Sequence, residues 1–294
     1  METQTRADKS KSAIIAWFEK RPERAFRHSD FSSIHEIHRE LRHIDQDMNM
    51  DEFVVFLLDK TPLKKHSLKF PGLPIAIYLW GRDFSSYETA YKIGGAGAYL
   101  SHYTAAFLHE LTDQVPKTTY VTAPQPRKRQ ENIVLTQQQI DQAFSRPARV
   151  TKAIVTLGGH RIARLTGMVS DGLGVVEMAA PGGAKIFATS LERTLLDMVV
   201  RPIYAGGPQQ VLEAFRLAKG RMSTNKLIAN YKKMGYVYPY HQAIGFYMER
   251  AGVYSENTLR MLREIERRRD FYLMHGMKET EYVSEWRLFI PKGF

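Results

Sequence analysis

Residues 190–202 read Ser-Leu-Glu-Arg-Thr-Leu-Leu-Asp-Met-Val-Val-Arg-Pro, and this stretch constrains the fold more than any other. Ser190 can accept the first free N–H groups of a helix. Glu192 falls in the first turn, where the helix dipole favours negative charge. Leu191, Leu195, Met198 and Val199 recur at helical spacing. Arg193, Asp197 and Arg201 are spaced i, i+4, i+8, so their charges can pair along the opposite face, and Pro202 stops the helix. Hairpin signals dominate before this helix and helical periodicity after it. It is therefore expected to act as a hinge-pin between a middle sheet and a helical C-terminal body.

The first 90 residues read as helices followed by a hairpin. Residues 1–10 are expected to be a disordered lead. A first helix spans about Ser12–Lys20 and ends at Arg21-Pro22. Ser29 or Asp30 opens a second, carrying Phe31, Ile34, Ile37 and Leu41. Asn49-x-x-Glu52 is a capping box for a third, with Phe53, Val54, Phe56, Leu57 and Leu58 behind it and Pro62 as its stop. Leu63–Phe70 and Ile75–Trp80 then alternate as strands around Pro71-Gly72-Leu73-Pro74. Three short helices and a hairpin form the layout of a winged helix-turn-helix.

Gly94–Gly97 reads as a flexible joint or helix end, since it lacks the G-x-G-x-x-G spacing of a dinucleotide site. Beyond it, Ser101–Leu111 and Thr136–Phe144 read as helices and Thr118–Ala123 as a strand. Lys152–Leu157 with His160–Thr166, and Val175–Ala179 with Ala184–Ala188, read as two hairpins. Helices follow over Pro208–Lys219, Ser223–Met234, Tyr240–Ala251 and Ser255–Arg269, with strands at Phe271–Leu273 and Trp286–Ile290. The expected fold is α+β. A winged helix-turn-helix domain, 1–92, precedes a larger mixed α/β domain, 93–294, with a small, mainly antiparallel sheet and C-terminal helices.

The formal charge of +11 favours polyanionic partners. It is unevenly placed. Residues 1–90 carry 14 basic and 14 acidic side chains, 91–200 carry 12 and 8, and 201–294 carry 16 and 9. The excess lies in the C-terminal two thirds, including Arg127-Lys128-Arg129. The chain has no cysteine, which removes disulfides, thiolate nucleophiles and cysteine-ligated metals together. No apolar run is long enough to span a membrane, and the polar N-terminus lacks the core of a signal peptide. A cytoplasmic protein is expected.

Several clusters could carry chemistry. His35-Glu36-Ile37-His38 places its histidines at i, i+3, where the zinc-protease pattern needs i, i+4, and His109-Glu110-Leu111-Thr112-Asp113 ends in Asp. No metal site is expected. A Mg²⁺-dependent nuclease or other nucleic-acid enzyme of phage defence is the enzymatic alternative. Asp171 and Glu177 could supply its carboxylates, but position 179 is Ala, and Lys185 lies across the turn. Glu192, Arg193 and Asp197 read as a cap and an ion-pair ladder, so no catalytic residue is assigned.

The hairpin places Lys64, Lys65, His66 and Lys69 where a wing touches phosphates, or where lysines blunt an edge strand. The third helix exposes Asp51, Glu52 and Asp59, which repel DNA, leaving Asn49 and Lys60 at its ends. Base contacts could then come from its first turn or from Ser32, Ser33, His35 and Arg39 on the second helix.

Blocks spread over residues 99–290 resemble the AbiEi-type antitoxins of abortive-infection (type IV) toxin–antitoxin pairs. They are Tyr99-Leu100-Ser101-His102 with Ala105-Ala106 and Leu108-His109-x-Leu111; Pro116–Val121; Ser190–Asp197 with Arg201-Pro202-x-Tyr204-x-Gly206-Gly207; Val237-Tyr238-Pro239-Tyr240-His241-Gln242-Ala243-Ile244-Gly245-Phe246; and Trp286-Arg287-Leu288-Phe289. The resemblance implies an N-terminal winged helix-turn-helix that binds double-stranded DNA at its own promoter and represses it. It also implies a C-terminal domain that counters a co-encoded nucleotidyltransferase-like toxin without a stable complex. No enzymatic activity or cofactor is expected on this reading. The basic C-terminal body adds the expectation of a polyanion there, DNA or RNA.

Overall fold

Side-chain capping sets the starts of six of the twelve α-helices among the described residues. The computed structural model describes residues 5–125, 135–167 and 170–294, so Arg127-Lys128-Arg129 lies outside the described residues. The chain opens with α1 (Arg6–Lys9) and α2 (Lys11–Glu19). Part of the expected disordered lead is thus helical. Thr5 and Asp8 form a reciprocal capping box, and Ala7 is buried.

Next come β1 (Ala25–Phe26), α3 (Asp30–Glu40), α4 (Met50–Lys60), β2 (Leu63–Phe70) and β3 (Leu73–Trp80). Asn49 Oδ1 accepts from the Glu52 N–H at 3.0 Å, and Glu52 Oε2 accepts from the Asn49 N–H at 2.8 Å, as the sequence predicts. β2 and β3 pair antiparallel from Leu63↔Trp80 to Phe70↔Leu73. β1 was not expected. It exists by pairing with β3, Ala25 opposite Leu79 and Phe26 opposite Tyr78, giving the order β1-β3-β2. This unit has its own core, in which Phe18 stacks on Trp80 at 4.2 Å among Phe31, Phe53, Leu57 and Leu63.

The middle of the chain forms α5 (Ser86–Gly94), β4 (Tyr99–Leu100), α6 (His102–Leu108), β5 (Thr118–Ala123), α7 (Gln137–Phe144), β6 (Ile154–Leu157), β7 (His160–Thr166), β8 (Val175–Ala179) and β9 (Lys185–Thr189). α5 was also unforeseen. The carboxylate of its buried Glu88 accepts the N–H groups of Arg24 and Ala25, tying β1 to the middle of the chain. Of the two readings of Gly94–Gly97, the helix end is the one observed, and the segment is packed. Gly95 ends α5 at φ 101°, and a Cβ on Gly94 would meet Ala98 and Val121 at 2.5 Å.

The sheet order is β6-β7-β5-β4-β9-β8. Three of its five neighbouring pairs are antiparallel, as expected, while β5 with β7 and β4 with β9 are parallel, which hairpin signals alone do not imply. Parallel neighbours need a long crossover, and α7 lies in the one between β5 and β7. A second core joins this sheet to the hairpin, placing Leu68, Phe70, Ile77 and Leu79 against Leu100, Val121, Ile162 and Ile186.

α8 (Leu191–Val200) follows, then a 3-10 turn (Pro202–Tyr204), α9 (Pro208–Leu217), α10 (Thr224–Met234), α11 (Tyr240–Ala251) and α12 (Glu256–Arg263). The chain ends with β10 (Phe271–Tyr272), β11 (Thr280–Val283), a 3-10 turn (Ser284–Trp286) and β12 (Leu288–Pro291), in the order β10-β12-β11. α12 stops six residues before the expected Arg269. The carbonyls of Glu266 and Arg269 are instead held by the side chains of His241 and Gln242 on α11.

α8 departs most from its amphipathic reading. Residues Glu192–Val199 are all buried, the charged ones included. Arg193 and Asp197 do pair, Nε to Oδ1 at 2.8 Å, but inside the protein. Arg201 leaves the ladder and donates to the Thr166 carbonyl at 3.2 Å. The cause is enclosure: α8 touches α6, α9, α10 and α11 as well as β9, so its second face also has protein opposite it.

Candidate nucleic-acid interface

Strand alternation divides the hairpin's cations between two faces. On β2, Leu63, Lys65, Ser67 and Lys69 share one side, and Lys64, His66, Leu68 and Phe70 the other. Leu63 packs into the core of the helices, whereas Leu68 and Phe70 pack into the core shared with the middle sheet. Lys64 and His66 therefore lie on the side turned towards the body, where Lys64 is still exposed and His66 is half-buried. Lys65 and Lys69 lie on the other and are exposed, with Lys65 Nζ 5.8 Å from the Tyr78 ring centroid. The sequence groups four wing residues, and the fold divides them into two pairs.

The helical candidates scatter as well. Ser32 and Ser33 are exposed on α3, where Ser33 Oγ donates to the Asp30 carbonyl at 3.1 Å. His35 is turned inward, 8 % exposed, with Nε2 on the Met48 carbonyl at 2.8 Å. It braces the α3–α4 connection and is a correction to the expected DNA contacts. Arg39 pairs with Glu36 at 2.6 Å, and Lys60 with Asp59 at 3.0 Å. Asn49 caps α4. The exposed side of α4 carries Asp51, Glu52 and Asp59 beside Val55, an acidic surface that phosphate repels.

Among the described residues no group of three or more His, Cys, Asp or Glu could hold a metal ion. Within His35-Glu36-Ile37-His38, His38 Nδ1 lies 3.0 Å from His43 Nδ1. His109 Nε2 bonds the Thr189 carbonyl at 2.6 Å. Glu177 is exposed on the outermost strand and ion-paired to Lys185 at 2.5 Å.

Burial pushes His38, His102 and His241 down to about 4. In the unfolded chain such rings protonate near 6.5. Between those values the unfolded chain binds more protons than the folded one. Stability is therefore full above pH 6.5 and is lost as the pH falls towards 4, by ~3 kcal/mol per ring. His102 has φ 52°, a left-handed conformation that Asn tolerates. Urea midpoints are expected to fall between pH 7 and pH 5, and His102→Asn to make that fall shallower. Equal midpoints at the two pH values would contradict this.

No family model matches the chain, and no curated protein matches it. Among solved structures, it is similar to the crystal structure of the RV2827C protein from Mycobacterium tuberculosis, with a TM-score of 0.56 and 13% identity, covering 96% of this chain and 91% of that one. The likeness shows that the mixed α+β fold is shared along nearly the whole chain, and at this identity it shows the fold alone. No helix among the described residues is long and apolar enough to cross a membrane.

Proposed function

We propose that this chain is a DNA-binding regulator and antitoxin of the AbiEi type, with an N-terminal winged helix-turn-helix. The observation that carries the reading is the chain order helix–strand–helix–helix–hairpin with the sheet order β1-β3-β2, in which the short first strand closes on the hairpin. The blocks that prompted the resemblance support it from the other end of the chain, since apolar residues of both, Leu195, Val199 and Ala205 from one and Ala243, Ile244 and Phe246 from the other, share one buried core.

On this reading Lys65 and Lys69 hold phosphates and position the domain without reading sequence. The acidic face of α4 keeps that helix from lying deep in the major groove. Sequence reading then falls to Ser32 and Ser33 on α3 and to the first turn of α4 at Asn49. The toxin countered is a co-encoded nucleotidyltransferase-like protein, and the two do not form a stable complex.

Gel-shift titration with the duplex upstream of the protein's own gene tests the DNA half. A shift at low salt that a scrambled duplex competes poorly supports it, and no shift at low salt overturns it. Cleavage of the probe in Mg²⁺, abolished by Glu177→Ala, would replace this reading with the nuclease one. Co-expression with the neighbouring toxin tests the other half, rescue of growth being the expected result.

A further inference from the structure

A cleft of about 1380 Å³ opens between the end of β7, the segment 146–151, the 3-10 turn 202–204, the loop 236–240 and residues 274–276. These segments are far apart in sequence, and two of them belong to the blocks described above. The volume exceeds what a small ligand usually occupies. Among the described residues its lining contains no aspartate or glutamate.

Three arginines face it, Arg146, Arg149 and Arg201, all exposed. No carboxylate pairs with their side chains among the described residues. Arg201 is held in place by its bond to the Thr166 carbonyl. This contrasts with Arg193, Arg263 and Arg287 of the same body, each of which has an acidic partner. Cations left unpaired around an acid-free cleft favour an anionic occupant.

The other walls are aromatic and apolar. Tyr204 is anchored: its hydroxyl accepts the Thr151 N–H at 2.6 Å, and its ring meets His102 edge-on at 5.6 Å. Half-buried Tyr238 stands edge-on to Phe144 at 5.2 Å, and half-buried His275 stacks on the same Phe144 ring at 4.0 Å. Val150, Ile203 and Val237 are 58, 47 and 48 % exposed around the same cleft, an arrangement that marks a binding surface. Rigid rings and exposed apolar groups suit flat bases, and guanidiniums suit the phosphates between them.

We propose that this cleft binds single-stranded nucleic acid, a few nucleotides long, with phosphates on Arg146, Arg149 and Arg201 and bases against Tyr238 and His275. A duplex keeps its bases stacked and cannot offer them to the rings, so single strands are selected over double. The site is separate from the hairpin, and the probe below carries no promoter sequence, so failure of promoter recognition leaves this proposal standing.

The test is fluorescence anisotropy with the full chain and labelled eight-nucleotide RNA and DNA strands, competed by the matching duplex, by ATP and by polyglutamate. Single strands are expected to bind at low salt and to be displaced poorly by all three competitors. Arg146→Ala with Arg149→Ala is expected to weaken binding at least ~10-fold and to reduce the slope of log affinity against log salt by about 1.4. Tyr238→Leu is expected to weaken it about 5- to 10-fold with the slope unchanged, a split that loss of fold would not produce. Circular dichroism melting identifies any variant that has lost its fold, and Tyr238→His, which keeps a flat ring, then replaces Tyr238→Leu and is expected to retain binding. No binding by wild type, equal binding of duplex, or equal displacement by polyglutamate with no dependence on Tyr238 would overturn the proposal. The last result would mark an acidic protein surface as the occupant, and full displacement by ATP at matched phosphate would mark a free nucleotide.

Discussion

Arg193→Met is expected to destabilise the protein by ~3–5 kcal/mol, because it leaves the carboxylate of Asp197 buried without its counter-ion. The two side chains are only 3 and 9 % exposed. The guanidinium also donates to the Leu173 carbonyl at 2.7 Å and to the Tyr99 hydroxyl at 3.3 Å, so three acceptors lose their donor together. Gly174, at φ 67°, closes against the stem of Arg193, where a Cβ would lie 2.7 Å from the arginine's own, so little space exists for rearrangement or for water. Typical domains have ~5–15 kcal/mol of total stability, which makes this loss a large share of it. The pair is required mainly because each charge needs the other. Arg193→Met combined with Asp197→Leu is therefore expected to be more stable than Arg193→Met alone. Chemical denaturation of wild type, both single variants and the double variant decides this, and a double-variant loss equal to the sum of the singles would contradict it.

Gly245→Ala carries the second large effect, and its sign opposes helix propensity. In an exposed helix interior the change would stabilise by ~1 kcal/mol. Here the new Cβ would overlap the six-membered ring of Trp286. That indole is fully buried, and it is fixed from several sides: Nε1 donates to Glu249 Oε2 at 2.7 Å, and the guanidiniums of Arg263 and Arg267 lie 5.6 and 5.5 Å from its centroid. Neither α11 nor the terminal strands can yield cheaply, so overpacking of ~3 kcal/mol is expected. Thermal melting should place Gly245→Ala well below wild type, and a smaller ring, Trp286→Phe, should recover part of the difference in the same background. A melting temperature at or above wild type would refute the packing described for this end of the molecule.

The same two positions indicate how far the sequence could be read. Local hydrogen bonds were legible: the Asn49/Glu52 and Thr136/Gln139 boxes, the Ser190 and Ser223 caps, and the left-handed Gly235 and Gly252 all stand at the ends the sequence implies. The β2–β3 hairpin was legible because Pro71-Gly72 places both strands close in sequence. What depends on distant partners was not. β1 is two residues long and exists through Leu79 and Tyr78. The parallel pairing of β4 with β9 joins Leu100 to Ala188, which no periodicity can reveal. Arg193 and Asp197 have the spacing of a surface pair, and only the helices packed around α8 make them a buried one. His35 has the spacing of an α3 surface residue, yet it closes onto Met48. The division of Lys64 from Lys65 was legible in principle, since adjacent strand residues face opposite ways, once a second layer is known to cover one of those faces. The cleft at Arg146, Arg149 and Arg201 is the extreme case, because its walls come from five separate segments.

The central claim is that the hairpin brings this protein to duplex DNA through Lys65 and Lys69. The most direct test is the affinity for the upstream duplex as a function of salt, for wild type and for Lys65→Ala with Lys69→Ala. The account predicts a linear fall of log affinity with log salt, a slope about 2 smaller in the double variant, and a proportionate weakening on scrambled duplexes. An unchanged slope, or a loss confined to one base pair of the site, would contradict it.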